Sequence, residues 1–333
     1  MSHANALQWD GGPGHYEVYY VTTTDTASGT GFWIRLTMRA PTDGSPGECA
    51  LWFLAMTAGG ERTGRKQTLP LDAFRVDASP FRVTVGDAHL TDTGTAGAFE
   101  DVSWDLTWTP RLPAAELVHP TLRRLGVAKT VYTVPHPDVA IDGTLTFAGR
   151  TVTLDGAAGD QAHVHGSQHA ERWAWTHSNA FTTLDGEPVA DTFFEGASVY
   201  VPRFGREIGP SSPIVTRVRG EDRLFTAPHV ITRTTSRFAL TTWHAEATRG
   251  RTRVVVEIDA PRDSLVGVTY HDPDGREAYC YNSEVASMRM HVWDRTGRGL
   301  SGWSLHETLL SDGQTHFEYA QREPVHGVPL LTT

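Results

Sequence analysis

The stretch Val102-Ser103-Trp104-Asp105-Leu106-Thr107-Trp108 alternates with a period of two. Val102, Trp104, Leu106 and Trp108 fall on one face, and Ser103, Asp105 and Thr107 on the other. That pattern predicts a half-buried β-strand. The period extends outward through the chain. Gly31–Ala40 puts Phe32, Ile34, Leu36 and Met38 on one face, while the opposite residues Trp33, Arg35, Thr37 and Arg39 are amphipathic rather than plainly polar. First-half strands are further predicted at 17–23, 49–57, 81–85, 127–134, 144–147 and 151–154. Second-half strands are predicted at 172–182, 192–201, 214–218, 224–234, 238–245, 252–258, 265–270, 278–293, 303–310 and 316–320. Most are bounded by Gly, Pro, Asp or Ser, and Asp272-Pro273-Asp274-Gly275 is a strong turn because Pro presets φ and Gly accepts a positive one. One short helix is predicted near 114–125, between Pro113 and Gly126.

About 18 strands at close spacing against one helix predict an all-β chain of barrels or sandwiches. A length of 333 residues suggests two domains. The economical division is two consecutive β-barrel or sandwich domains, 1–170 and 171–333. Hydrophobic residues make up 39% of the chain, enough to fill real cores. The formal charge is −10, and no Lys/Arg stripe is present to bind phosphates, so no nucleic-acid partner is expected. The longest apolar run, Ala50–Met56, is far short of a membrane span. The N-terminal MSHANALQWDGGPG carries neither a basic nor an apolar leader region, and Cys49 and Cys280 make no disulfide framework. The expectation is a protein of the reducing cytoplasm, of unspecified oligomeric state.

Four histidines crowd into residues 163–177. The odd positions from 163 to 181 are His163, His165, Ser167, His169, Glu171, Trp173, Trp175, His177, Asn179 and Phe181. On one strand these share a face, although Gly166 is expected to interrupt the run. Three readings compete. His163, His165 and His169 with Glu171 could bind a metal, as in a cupin barrel; but there the Glu should stand four or five residues after the second His, and Glu171 stands six after His165. Alternatively Glu171, His169 or His177 is a general acid or base in an aromatic pocket, with Trp173 and Trp175 stabilising positive charge and Asn179 orienting the substrate. The third reading is a core seam of rings. A second constellation, Tyr270–Glu284, reads as a hairpin with Tyr279, Tyr281 and Ser283 on one face and Cys280, Asn282 and Glu284 on the other, so that Asn282 and Glu284 are further pocket candidates. No Gly-x-Ser-x-Gly elbow and no phosphate-binding Gly loop occurs.

The segment His163-Val164-His165-Gly166-Ser167-Gln168-His169-Ala170-Glu171-Arg172-Trp173-Ala174-Trp175 resembles the central motif of the carotenoid 1,2-hydratase (hydroxyneurosporene synthase)-like and tocopherol cyclase-like family, particularly its actinobacterial members. His163, Gly166, His169, Trp173 and Trp175 match the motif; Val164 and His165 stand where the family has Asn and Trp. The resemblance implies two lipocalin-like β domains with a hydrophobic pocket in or between them. It also implies cofactor-independent, non-redox chemistry on a polyene, terpenoid or polyketide: hydration, cyclisation or an intramolecular Diels–Alder reaction. The expected catalytic residues are Glu171, His177 and His169. The expected substrate-binding residues are Trp173, Trp175, Asn179, His163, His165, Asn282 and Glu284, with no metal. The alternatives are a non-catalytic carrier of a lipid or isoprenoid, and a metal-dependent enzyme using His163, His165 and His169.

Overall fold

The computed structural model describes residues 3–126, 128–203, 206–297 and 302–332. Their regular structure is almost wholly β, in one sheet of twelve strands and one of fourteen. Both sheets follow one plan. In the first, the opening strand His15–Asp25 pairs on one side with Thr30–Ala40 and on the other with the closing strand, Arg150–Gly166. The other strands run as an antiparallel meander, and only the 3-10 turn Leu71–Ala73 separates the two ends, Arg62–Pro70 and Phe74–Ala78. In the second, Arg172–Ser178 pairs with Phe193–Arg203 and with the late strand Trp303–Gln321. There the helix Pro228–Ile231 separates the ends Glu221–Phe225 and Thr235–Ala239. A meander whose first strand pairs with its last curls into a barrel, and the fold is a pair of lipocalin-like β-barrels.

Rings fill both interiors. Phe32, Phe53, Trp104 and Phe147 pack inside the first barrel, and Phe194, Phe225, Trp243, Tyr281 and Phe317 inside the second. A third core lies between them. It takes Tyr16, Val18, Tyr20, Trp33, Trp52, Leu54 and Met56 from the outer face of the first sheet, and Trp173, Trp175, Val266, Val268, Tyr270 and Cys280 from the second. The amphipathic outer face of 31–40 thus has its physical reason: Trp33 and Arg35 point into a buried seam. At Gly31 the barrels come so close that an added Cβ would stand 2.5 Å from the Glu284 Cβ and 2.7 Å from its carbonyl oxygen.

The structure refines several of the expected elements. The expected strands 127–134 and 144–147 belong to one strand, Thr130–Phe147; residue 127 lies outside the described residues. Pro135 and Pro137 lie within it, and register shifts at His136 accommodate them in the ladder. The expected strands 303–310 and 316–320 are likewise one strand, Trp303–Gln321. The region 224–234 is half helix, because Pro228 opens a helical turn. Of the expected helix 114–125 only Pro120–Arg124 is helical. Arg62–Pro70 and Gly94–Phe99 escape sequence reading, the first because it is a polar sheet edge and the second because it is built of small residues. Cys49 and Cys280 are both buried and free. No helix among the described residues is long and apolar enough to cross a membrane.

Gly31→Ala should lower stability by about 1–3 kcal/mol, because backbone rather than a flexible side-chain tip occupies the space. Chemical denaturation checks this, and an unchanged midpoint would contradict so close an approach of the barrels.

Candidate functional site

His169 follows Gly166, the last residue of the strand Arg150–Gly166, where an added Cβ would lie 2.2 Å from the Lys129 carbonyl oxygen. Glycine therefore lets this strand end lie close against its neighbour, and beyond it the chain places His169 in the seam. There Asp272 grips it twice, accepting from the His169 backbone N–H at 2.8 Å and pairing with Nδ1 at 2.7 Å. Arg322 completes the clamp, donating to the other Asp272 oxygen at 2.8 Å and to the His169 carbonyl at 2.6 Å. The imidazole stacks on Tyr16 at 4.6 Å, Tyr270 at 5.3 Å and Trp173 at 5.5 Å between centroids. Nδ1 is committed to Asp272, and Nε2 has no hydrogen-bond partner among the described residues. His169, Tyr270, Tyr16, Trp52 and Arg35 line a narrow cleft of about 50 Å³.

Burial pushes the His169 pKa down, and the Asp272 bond and charge restore only part of the loss, so it lies below the usual imidazole value. Burial raises Asp272, but the His169 hydrogen bonds and the Arg322 charge outweigh it and hold the carboxyl below its ordinary range. The pair at neutral pH is therefore a neutral imidazole oriented by a carboxylate, with its basic lone pair on Nε2.

A second set of polar groups lies sealed in the seam. His177 Nδ1 meets Glu195 at 2.9 Å, and Trp175 Nε1 donates to the other Glu195 oxygen. Thr22 donates to Asp160 and also contacts His316 Nδ1. His316 Nδ1 stands 3.8 Å from Glu284. Asp160, Glu195, Glu284 and His177 are wholly buried, and His177 Nε2, Asp160 Oδ2 and both Glu284 carboxylate oxygens find no partner among the described residues. Burial pushes Glu195 up to about 7 against the pull of His177. Burial also raises Glu284 well above the carboxylate range. His177 is raised, because Asp160 and Glu195 outweigh its own burial. Ligand atoms of Asp160, His177 and Glu195 lie within 4.8 Å of one another, a spacing that a divalent ion could bridge.

The structure separates the row of residues grouped from the sequence. His163 and His165 lie on the closing strand of the first barrel. There His163 stacks on Tyr19 and spends both ring nitrogens, on Glu17 at 2.9 Å and on the Ala4 carbonyl at 2.7 Å. His165 is a neighbour of His163, held down to about 4 by burial and by the His163 charge. The alternative metal set His163, His165 and His169 is not brought together: His169 lies beyond the strand end, on Asp272 in the seam. The cluster with metal-ligand spacing among the described residues is Asp160–His177–Glu195. Glu171 lies at the rim, paired with Arg276 at 3.1 Å and 3.9 Å from Arg322. Trp173 and Trp175 face the seam, but Phe181 belongs to the interior of the second barrel. Asn179 ties the barrels together, donating to Asp138 at 2.8 Å and to the Gly159 carbonyl at 3.0 Å. Asn282 is wholly buried beside Cys280 and the Val266 carbonyl.

Comparison with known proteins supports the fold. No family model matches the chain. It is 27% identical over 307 residues to the uncharacterized protein Rv0493c of Mycobacterium tuberculosis, covering 88% of this chain and 87% of that one. Among solved structures it is similar to kievitone hydratase from Nectria haematococca, with TM-score 0.53 and 10% identity over 97% of this chain and 93% of that one. It is also similar to CghA, with TM-score 0.59 and 10% identity over 94% and 90%; CghA has been solved with Sch210972 as well.

Sequence reading missed Arg35, Asp160, Glu195, Asp272 and His316 as site residues. One signal was present: Glu195 stands in the apolar run Phe193–Tyr200, where an acid must be matched or neutralised. A larger hollow, about 770 Å³, lies on the second barrel. Its wall includes the cross-strand row Arg237, His244, Glu257 and Arg289. It shares no residue with the seam cleft and holds no oriented His–Asp pair, so we place the candidate site in the seam.

Glu284 keeps its proton in the native chain at pH values where the unfolded chain has lost it. Its contribution to stability is complete below the unfolded carboxylate pKa and is lost as pH rises toward the folded one. Glu284→Gln should therefore flatten the fall of stability between about pH 5 and pH 8, by up to about 1.4 kcal/mol per pH unit. Denaturation across that range tests it, and an unaltered slope would contradict the assignment.

Proposed function

We propose that the chain is an acid–base catalyst that adds an O–H or a C–H across a conjugated carbon–carbon double bond. The nucleophile is water in a hydration, or a group of the same molecule in a cyclisation. The substrate class is a hydrophobic polyene, terpenoid or polyketide. The observation that carries the reading is the His169–Asp272 pair: one ring nitrogen fixed on a carboxylate, the other without a partner, in a cleft walled by Tyr16, Trp52 and Tyr270. In a hydration, His169 Nε2 takes a proton from water as the water oxygen bonds to the β-carbon. The π electrons move toward the conjugated acceptor, and the imidazolium returns its proton to the α-carbon. Asp272 stabilises the transient imidazolium and fixes the tautomer. Holding the substrate against flat rings reduces the entropy lost on ring closure in the cyclising version. The likeness in fold to a protein named as a hydratase supports the reading.

The other residues take supporting parts. Trp173 forms the wall behind His169. Glu171 acts through Arg322, which holds Asp272, and is thus a positioning residue. His177, Trp175 and Glu284 belong to the sealed polar set, and His163, His165, Asn179 and Asn282 to the framework. Rings fill the first barrel's interior, which argues against carriage of a lipid there.

The test is conversion of a candidate polyene or polyketide extract by the purified chain, read by mass spectrometry. A product heavier by one water marks hydration, and an isomer of equal mass marks cyclisation. His169→Gln should cut turnover by about 10²–10⁴-fold, and activity should fall on the acid side, through a pKa below the usual imidazole value. Undiminished turnover by His169→Gln, or a retained ligand that is never converted, would sink the proposal.

A further inference from the structure

Arg35 projects from the outer face of Thr30–Ala40 into the seam and is only 7% exposed. It lies over the ring of Tyr270 at 4.2 Å, with Trp33 at 5.3 Å and Trp52 at 5.8 Å. Among the described residues it makes no hydrogen bond and no ion pair, and its Nε is sealed without a partner. A guanidinium is charged at any physiological pH, and burying one without an anion is costly. Glu318 feels its charge but does not reach ion-pair distance. Arg35 lines the same cleft as His169, together with Lys66 and Arg39. Arg39 is engaged with Glu48 at 3.1 Å. Lys66 lies 4.4 Å over the Trp52 ring, and its pKa is lowered first by burial and then by the charges of Arg35 and Arg39. In a chain of net charge −10, Arg35, Arg39 and Lys66 outnumber Glu48, the one carboxylate among this cleft's lining residues. The cleft's 50 Å³ is the size of a small polar head rather than of a whole polyene.

We propose that Arg35 is an anion-recognition residue. The substrate carries an anionic oxygen, either a carboxylate or the enolate of a 1,3-dicarbonyl, which binds the Arg35 guanidinium while its conjugated carbons face His169. Planar aromatic neighbours hold the guanidinium flat and leave its edge for a two-oxygen partner. The inference builds on the proposed chemistry, since the Arg35 guanidinium would also stabilise the negative charge that gathers on the acceptor during addition. Its test is a binding measurement, which fails or succeeds independently of turnover.

Titration calorimetry with the full chain at neutral pH would use 2-naphthoate, its neutral isostere 2-naphthamide, and the enolate of 4-hydroxycoumarin. At least one anion should bind about tenfold or more tighter than the amide. Arg35→Gln should abolish that preference, and Arg35→Lys should retain part of it. Preference for the naphthoate assigns a carboxylate substrate, and preference for the hydroxycoumarin assigns an enolate. The wild-type comparison stands even if Arg35→Gln fails to fold. Equal binding of anions and amide by the wild-type chain, or a preference that survives in a folded Arg35→Gln, would overturn the assignment.

Discussion

The strand His15–Asp25 is buried from Tyr16 onward on both of its faces, and the rest of the molecule follows from that constraint. One face, with Tyr19 and Val21, fills the first barrel; the other, with Tyr16, Val18 and Tyr20, must be covered by something outside it. The cover is the outer face of the second sheet, above all Trp173, Trp175 and Tyr270. The two barrels thereby share a third core. Polar groups on those faces are taken out of water as a consequence of packing, and each must find a partner, keep a proton or await a ligand.

The seam shows all three outcomes. Asp272 finds His169 and Arg322. Glu284, with neither oxygen hydrogen-bonded among the described residues, keeps a proton. Arg35 lies on rings with no ion-pair partner among the described residues. The sealed Asp160–His177–Glu195–His316 set links the barrels through Thr22, so a proton gained or lost there is felt by both. The cleft beside His169 differs from that set in opening to solvent, and so the chemistry is assigned to the cleft.

Much of this was legible in the sequence. Period-two alternation gave the strands, and the amphipathic side of 31–40 already marked a sheet with two buried faces. The alternation of Cys280 and Tyr281 between faces is as read, Cys280 in the seam and Tyr281 in the second barrel. What local pattern could not give is the partner of each charge. His163 and His169 look equivalent six residues apart, yet the strand ends between them at Gly166, and one meets Glu17 while the other meets Asp272. Asp272 itself was read as turn chemistry, which it also performs, and nothing local announces that Arg322 will hold it.

The central claim is that the seam between the barrels, and neither barrel's interior, is where a ligand meets a histidine able to move a proton. The most direct measurement is a crystal structure of the full chain grown with 2-naphthoate. The account predicts density in the cleft, with the carboxylate on Arg35 and the ring system against Tyr270 and within reach of His169 Nε2. Density inside the first barrel, or in the larger hollow of the second one with the seam cleft unchanged, would contradict it.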